Sequence, residues 1–192
     1  MPSTTHSAPS AAPDERRQLT VVFTDLVGST ELASALDPED WHEVLDAYQH
    51  RVASIVTAHG GVIAQFQGDG AVAYFGYPEA VESAGRDAVS AGLAVVEDME
   101  RLTAELPPDL DVGELHARAG VHTGEVEVRP DDIVGLAVTI ARRICDLARP
   151  GQALVSEAVK VHLMGSGIAV SEQGCYALKG VPGEWRLFTT QD

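Results

Sequence analysis

Cationic side chains are scarce in this sequence: 13 Lys and Arg stand against 29 Asp and Glu, a formal charge of −16. The average surface field repels nucleic acid and anionic membranes, so neither is expected as a partner. Cysteine is nearly missing as well, and its two copies, Cys145 and Cys175, form no close-spaced metal or redox pattern. No apolar run approaches the roughly 18 residues that span a bilayer. The start has neither the basic nor the long apolar segment of a secretory leader, and a cytoplasmic location is expected. Internal repeats are absent too. The acidic field also bears on substrates: any phosphate group bound here needs cations beside it, or a local cluster of backbone N–H groups and Arg.

At 192 residues the chain suits one domain with a short tail. Residues 1–15 are rich in Ser, Thr, Ala and Pro and carry almost no large apolar side chain, so nothing offsets the entropy of ordering them. They read as a disordered tail, and residues 16–192 as the domain. Leu19, Val21, Val22 and Phe23 form a short apolar, β-branched run that ends at Asp25 and Gly28, a buried strand opening into a loop. Asp37-Pro38 starts a helix in which Trp41, Val44, Tyr48, Val52 and Val56 repeat with helical spacing, and His59-Gly60-Gly61 stops it. Val62 to Phe66 and Val72 to Phe75, joined by Gly68-Asp69-Gly70, read as a β-hairpin with an acid at its tip.

A second helix is predicted over 78–106 and a third over 135–148. Strands are predicted at 117–121 and 124–128, interrupted at His122-Thr123-Gly124, and then at 153–155, 168–171 and 185–189. The order strand, helix, hairpin, helix, strand is that of a split βαβ core, so the expected fold class is α+β, ferredoxin-like, with an antiparallel-rich sheet and flanking helices.

Asp25 sits at a strand end and Asp69 at a hairpin tip that a sheet can bring beside it. Two carboxylates converging on one point repel each other unless a hard cation lies between them, the arrangement of two-metal phosphoryl chemistry. Taken singly, each is an ordinary turn or cap residue. Directly after Asp25, Val27-Gly28-Ser29-Thr30 is a small-residue loop leading into a helix, suited to holding phosphate oxygens with Gly28, Ser29 and Thr30, or simply to capping that helix. His122 has no second His or Cys at ligand spacing and reads as a packed strand residue.

Phe23-Thr24-Asp25-Leu26-Val27-Gly28-Ser29-Thr30, Gly68-Asp69-Gly70, Gly120-Val121-His122-Thr123-Gly124-Glu125-Val126 and Leu178-Lys179-Gly180-Val181-Pro182-Gly183, in that order, resemble the class III adenylyl and guanylyl cyclases in their bacterial form. The resemblance implies a head-to-tail homodimer with shared active sites. It also implies two Mg²⁺ or Mn²⁺ ions bound by Asp25, Asp69 and the backbone carbonyl of Leu26, and conversion of ATP to cyclic AMP with release of pyrophosphate. Carried over residue by residue, Gln65 and Asp132 match the base-recognition positions, Thr139 the ribose-orienting position, and Arg143 the Arg that stabilises charge on the transferring phosphate. Gln65 departs from the Lys common in adenylyl cyclases, and Thr139 from an Asn. Guanylyl cyclases tend to carry Glu and a small residue at the positions of Gln65 and Asp132, so Asp132 favours ATP over GTP. Lys179 receives no role. The alternatives are a cyclase that uses GTP and a cyclase-like module that binds nucleotide or regulates without turnover; a diguanylate cyclase is disfavoured because its Gly-Gly-Asp/Glu-Glu-Phe signature is missing.

Overall fold

The computed structural model describes residues 15–129 and 132–191. The expected tail lies outside the described residues except for Glu15, which opens the first strand. The elements in chain order are β1 (Glu15–Leu26), α1 (Ser29–Ala35), α2 (Pro38–Ala58), β2 (Val62–Gln67), β3 (Gly70–Phe75), α3 (Ala84–Glu97), α4 (Met99–Glu105), β4 (Ala117–Val128), β5 (Ile133–Val134), α5 (Leu136–Leu147), β6 (Ala153–Ser156), α6 (Glu157–Lys160), a 3₁₀ turn (Val161–Leu163), β7 (Ala169–Ala177) and β8 (Glu184–Gln191). They build one sheet in the order β2-β3-β1-β4-β6-β8-β7, with β5 paired to β4. The β2-β3-β1-β4 part, all antiparallel, is the split βαβ core. Beyond it β6 runs parallel to β4, the two being joined through α5.

Because helices cover both faces of its centre, β1 is buried continuously from Leu19 to Thr24. Val22 and Leu26 pack with Val44, Tyr48 and Val52 of α2 and with Ala88, Ala91 and Val95 of α3. Leu19, Val21 and Phe23 point the other way, onto Ala137, Ala141 and Cys145 of α5. The closest approach is at Gly120, where a Cβ would lie 2.2 Å from the Cys145 backbone nitrogen, so α5 rests directly on the β4 backbone.

Two expectations need correcting. The helix expected over 78–106 is two helices: the chain from 78 to 83 is irregular, α3 begins only at Ala84, and Asp98 both ends α3 and precedes α4. The two strands expected around His122-Thr123-Gly124 are one, because these polar residues find partners inside the sheet. The Thr20 and Thr123 hydroxyls meet at 2.8 Å, and His122 Nδ1 lies 2.8 Å from Ser156 Oγ with its ring edge-on to Trp185.

Burial pushes the His122 pKa down from 6.5 to about 4. The unfolded chain thus takes up a proton near pH 6.5 that the folded chain resists, and the stability His122 contributes is complete above that pH and lost as pH falls towards 4. Urea unfolding of wild type and His122→Asn at pH 7 and pH 4.5 should assign to His122, as the difference between the two proteins, a loss of about 2–3 kcal/mol. His122→Asn should be less stable at pH 7 but lose correspondingly less on acidification.

Candidate active site

The end of β1 carries the acid pair. Antiparallel register sets Asp25 opposite Gly70 of β3 on one side and opposite Arg118 of β4 on the other. Asp69 precedes Gly70 at the β2–β3 tip, where Gly68 takes φ 65°, a left-handed conformation that suits glycine. Three contacts hold that tip against the end of β1. The Leu26 N–H donates to the Asp69 carbonyl at 3.3 Å, Gln49 Nε2 of α2 donates to the Gly68 carbonyl at 2.9 Å, and Ser29 Oγ donates to Asp69 Oδ2 at 2.5 Å. A Cβ on Gly70 would stand 3.6 Å from Asp25 Oδ1, in ordinary contact, so position 70 lies directly beside the acid.

Asp25 and Asp69 line one narrow cleft of about 60 Å³ together with Gln67, Arg142, Cys145 and Asp146. Arg118 bonds Asp25 Oδ2 twice, from Nε at 2.8 Å and from Nη2 at 2.5 Å. Burial pushes the Asp25 carboxyl above the usual carboxylate range; Arg118 pulls it back, and the charges of Asp69 and Asp146 push it up again. Ser29 therefore works by pinning Asp69, while the first bond of α1 runs from the Leu32 N–H to the Gly28 carbonyl, leaving the earlier N–H groups outside the helical ladder.

Gln65 and Asp132 are also brought together, in a separate cavity of about 270 Å³ walled by Tyr74 and Tyr77. Asp132 Oδ1 accepts from the Ile133 N–H at 2.8 Å, which orients the carboxylate. Thr139 and Arg143 lie one turn apart on α5, and neither lines the cleft of the acid pair. Arg143 donates to Asp146 Oδ2 at 2.9 Å and to the Lys179 carbonyl at 3.1 Å. The cation of α5 on the cleft is instead Arg142, which bonds Gln67 Oε1 and lies 5.8 Å from the Phe23 ring centroid.

The sequence alone gives Arg118 and Arg142 no role in the site, Arg142 reading as a solvated helix arginine. Arg118 had a signal, being a lone cation in the small, apolar stretch Ala117–Val121 of a predicted strand.

The donor set fits hard divalent cations. Mg²⁺ is typically held by one or two carboxylates, completed by water and substrate phosphates, and two carboxylates are what the cleft offers. Among the described residues no group of three or more His, Cys, Asp or Glu side chains is placed to hold a metal alone. The cation-hungry character of the cleft is visible in Arg118, which supplies positive charge to Asp25.

Residues 12–191 match the adenylate and guanylate cyclase catalytic domain. The chain belongs to that family, as a class III cyclase catalytic domain. It is 34% identical over 174 residues to an uncharacterised protein of Rhizobium meliloti, covering 86% of this chain and 16% of that protein. It is 33% identical over 152 residues to an uncharacterised protein of Mycobacterium tuberculosis, covering 74% and 26% respectively. The chain thus spans a minor part of these curated relatives. Among solved structures, the adenylyl cyclase CyaB from P. aeruginosa superposes with a TM-score of 0.87 at 26% identity, over 94% of this chain and 97% of that one. The guanylyl cyclase Cya2 superposes with a TM-score of 0.81 at 27% identity, over 92% and 93%. No helix among the described residues is long and apolar enough to cross a membrane.

Proposed function

We propose that the catalytic domain, residues 16–192, cyclises ATP to 3′,5′-cyclic AMP with release of pyrophosphate, in sites shared between two copies arranged head to tail. The observation that carries this reading is the convergence of Asp25 and Asp69 on one cleft. Asp25, Asp69 and the Leu26 carbonyl are the residues to hold two Mg²⁺ or Mn²⁺ ions. Such ions, when bound, neutralise the triphosphate and acidify the ribose 3′-hydroxyl. The bond formed is from the 3′-oxygen to the α-phosphorus, and the bond broken is the one between the α-phosphorus and the oxygen leaving with pyrophosphate. The loop Gly28-Ser29-Thr30 offers backbone N–H groups to phosphate oxygens. Arg143 offers a planar fork of donors to the charge gathering on the transferred phosphorus, and Thr139 orients the ribose.

A shared site is supported by what a single chain leaves apart. Gln65 with Asp132 and Thr139 with Arg143 lie outside the acid cleft, and the face of α5 that bears Thr139 and Arg143 also exposes Leu136 and Leu147. Exposed leucines at both ends of a helix that carries functional polar groups suit contact with a second copy.

Adenine is favoured by Asp132: an ionised carboxylate only accepts hydrogen bonds, and the 6-amino group of adenine donates where guanine carries a carbonyl. Product analysis with ATP and GTP offered separately, with Mn²⁺, tests the reading. Cyclic AMP is expected as the main product, and Asp132→Ala should cut the preference for ATP by about tenfold. Bound nucleotide without cyclic product would replace the enzyme with a binding module. Gln65 favours a second reading, cyclisation of GTP, since its amide both donates and accepts and Cya2, a guanylyl cyclase, is a structural relative. Cyclic GMP as the main product would establish it.

A further inference from the structure

We propose that Arg118 is a built-in competitor for the metal, occupying Asp25 until a divalent cation displaces it. The inference rests on the reading of Asp25 and Asp69 as metal ligands. The two acids are not treated alike. Asp69 is held by a neutral donor, the Ser29 hydroxyl at 2.5 Å. Asp25 has one oxygen, Oδ2, taken by two guanidinium N–H groups at 2.8 and 2.5 Å.

The same guanidinium is anchored at its far end, where Nη1 donates to the Asp146 carbonyl at 3.1 Å in the last turn of α5. Cross-strand register places Arg118 directly opposite Asp25, so the pair forms without any reach of the backbone. Both side chains are little more than a quarter exposed, at 28% and 27%. Two like charges lining one cleft repel each other and draw a counter-charge beside them. Arg118 supplies it when no metal is present.

The arrangement sets a condition on metal entry. A cation that takes Asp25 Oδ2 must first detach a guanidinium that donates to this one oxygen twice, and it meets a like charge if the guanidinium stays. Binding is then an exchange of one cation for another rather than a filling of free carboxylates. Metal alone should bind weakly, and the affinity should rise when Arg118 is removed.

Two measurements test this without recourse to turnover. The first is a Mn²⁺ titration followed by electron paramagnetic resonance, on wild type and Arg118→Gln with no nucleotide present. The variant is expected to bind Mn²⁺ about tenfold more tightly, and Asp69→Asn to weaken binding in both backgrounds. The second uses the wild-type chain alone. The Arg118 Nε–H resonance, assigned through its own backbone, is followed while Mg²⁺ is added. It should shift and exchange faster with solvent in step with metal occupancy. Equal or weaker Mn²⁺ affinity in the variant, or an Arg118 signal unmoved through Mg²⁺ saturation, overturns the proposal and leaves the metal site standing. Failure of both proteins to bind either ion removes the metal reading of the acid pair and this inference with it.

Discussion

Asp25→Asn should lower cyclic nucleotide formation by at least about 10³-fold while leaving the chain folded. The amide keeps the shape of the carboxylate and can still accept one bond from Arg118, but it has neither the charge nor the lone-pair strength to hold a divalent cation. The effect on stability should be small, about 1 kcal/mol, because the Asp25–Arg118 pair retains some contact with solvent and Arg118 keeps its bond to the Asp146 carbonyl. Cyclic nucleotide release at fixed Mn²⁺ and a thermal melt on the same samples separate the two quantities. An Asp25→Asn protein that melts normally and still turns over would end the assignment of Asp25 to the metal.

Mixing two inactive variants should restore activity. In a head-to-tail pair, Asp25→Asn disables the metal half of a site and Arg143→Ala the opposite half, so each homodimer has both sites broken. A heterodimer concentrates both lesions in one site and leaves the other whole. Equal mixing with free exchange gives one-half heterodimers, each with one of two sites intact, so recovery to about a quarter of wild-type activity is expected. No recovery, with heterodimers present by mass spectrometry, would place Arg143 and Asp25 in the same chain's site. What favours the shared arrangement is that Arg142 rather than Arg143 lines the acid cleft.

The parts of the fold that follow from local pattern were legible. β1 announced itself by its apolar run and α2 by helical spacing, and Gly68-Asp69-Gly70 gave the hairpin that lifts Asp69 to Asp25. Less legible were features decided across the sheet. Residues 15–18 are charged or polar and do not read as strand, yet they pair in register with residues 125–128 of β4. The polar triplet His122-Thr123-Gly124 reads as a break because its partners, Thr20 and Ser156, lie 103 and 34 residues away in sequence. The same limit hid Arg118. Its residue type was visible, but its role depends on which residue stands opposite it, and register is set by the whole sheet.

The contact at Gly120 has a mechanical consequence. With no room for even a methyl group between the β4 backbone and Cys145, the strand carrying Arg118 and the helix carrying Thr139, Arg142 and Arg143 are set in backbone contact, at a spacing only glycine permits. Any side chain at position 120 would push the two apart, and Arg118, which spans from Asp25 to the Asp146 carbonyl at the end of α5, would have to give up one of its two anchors.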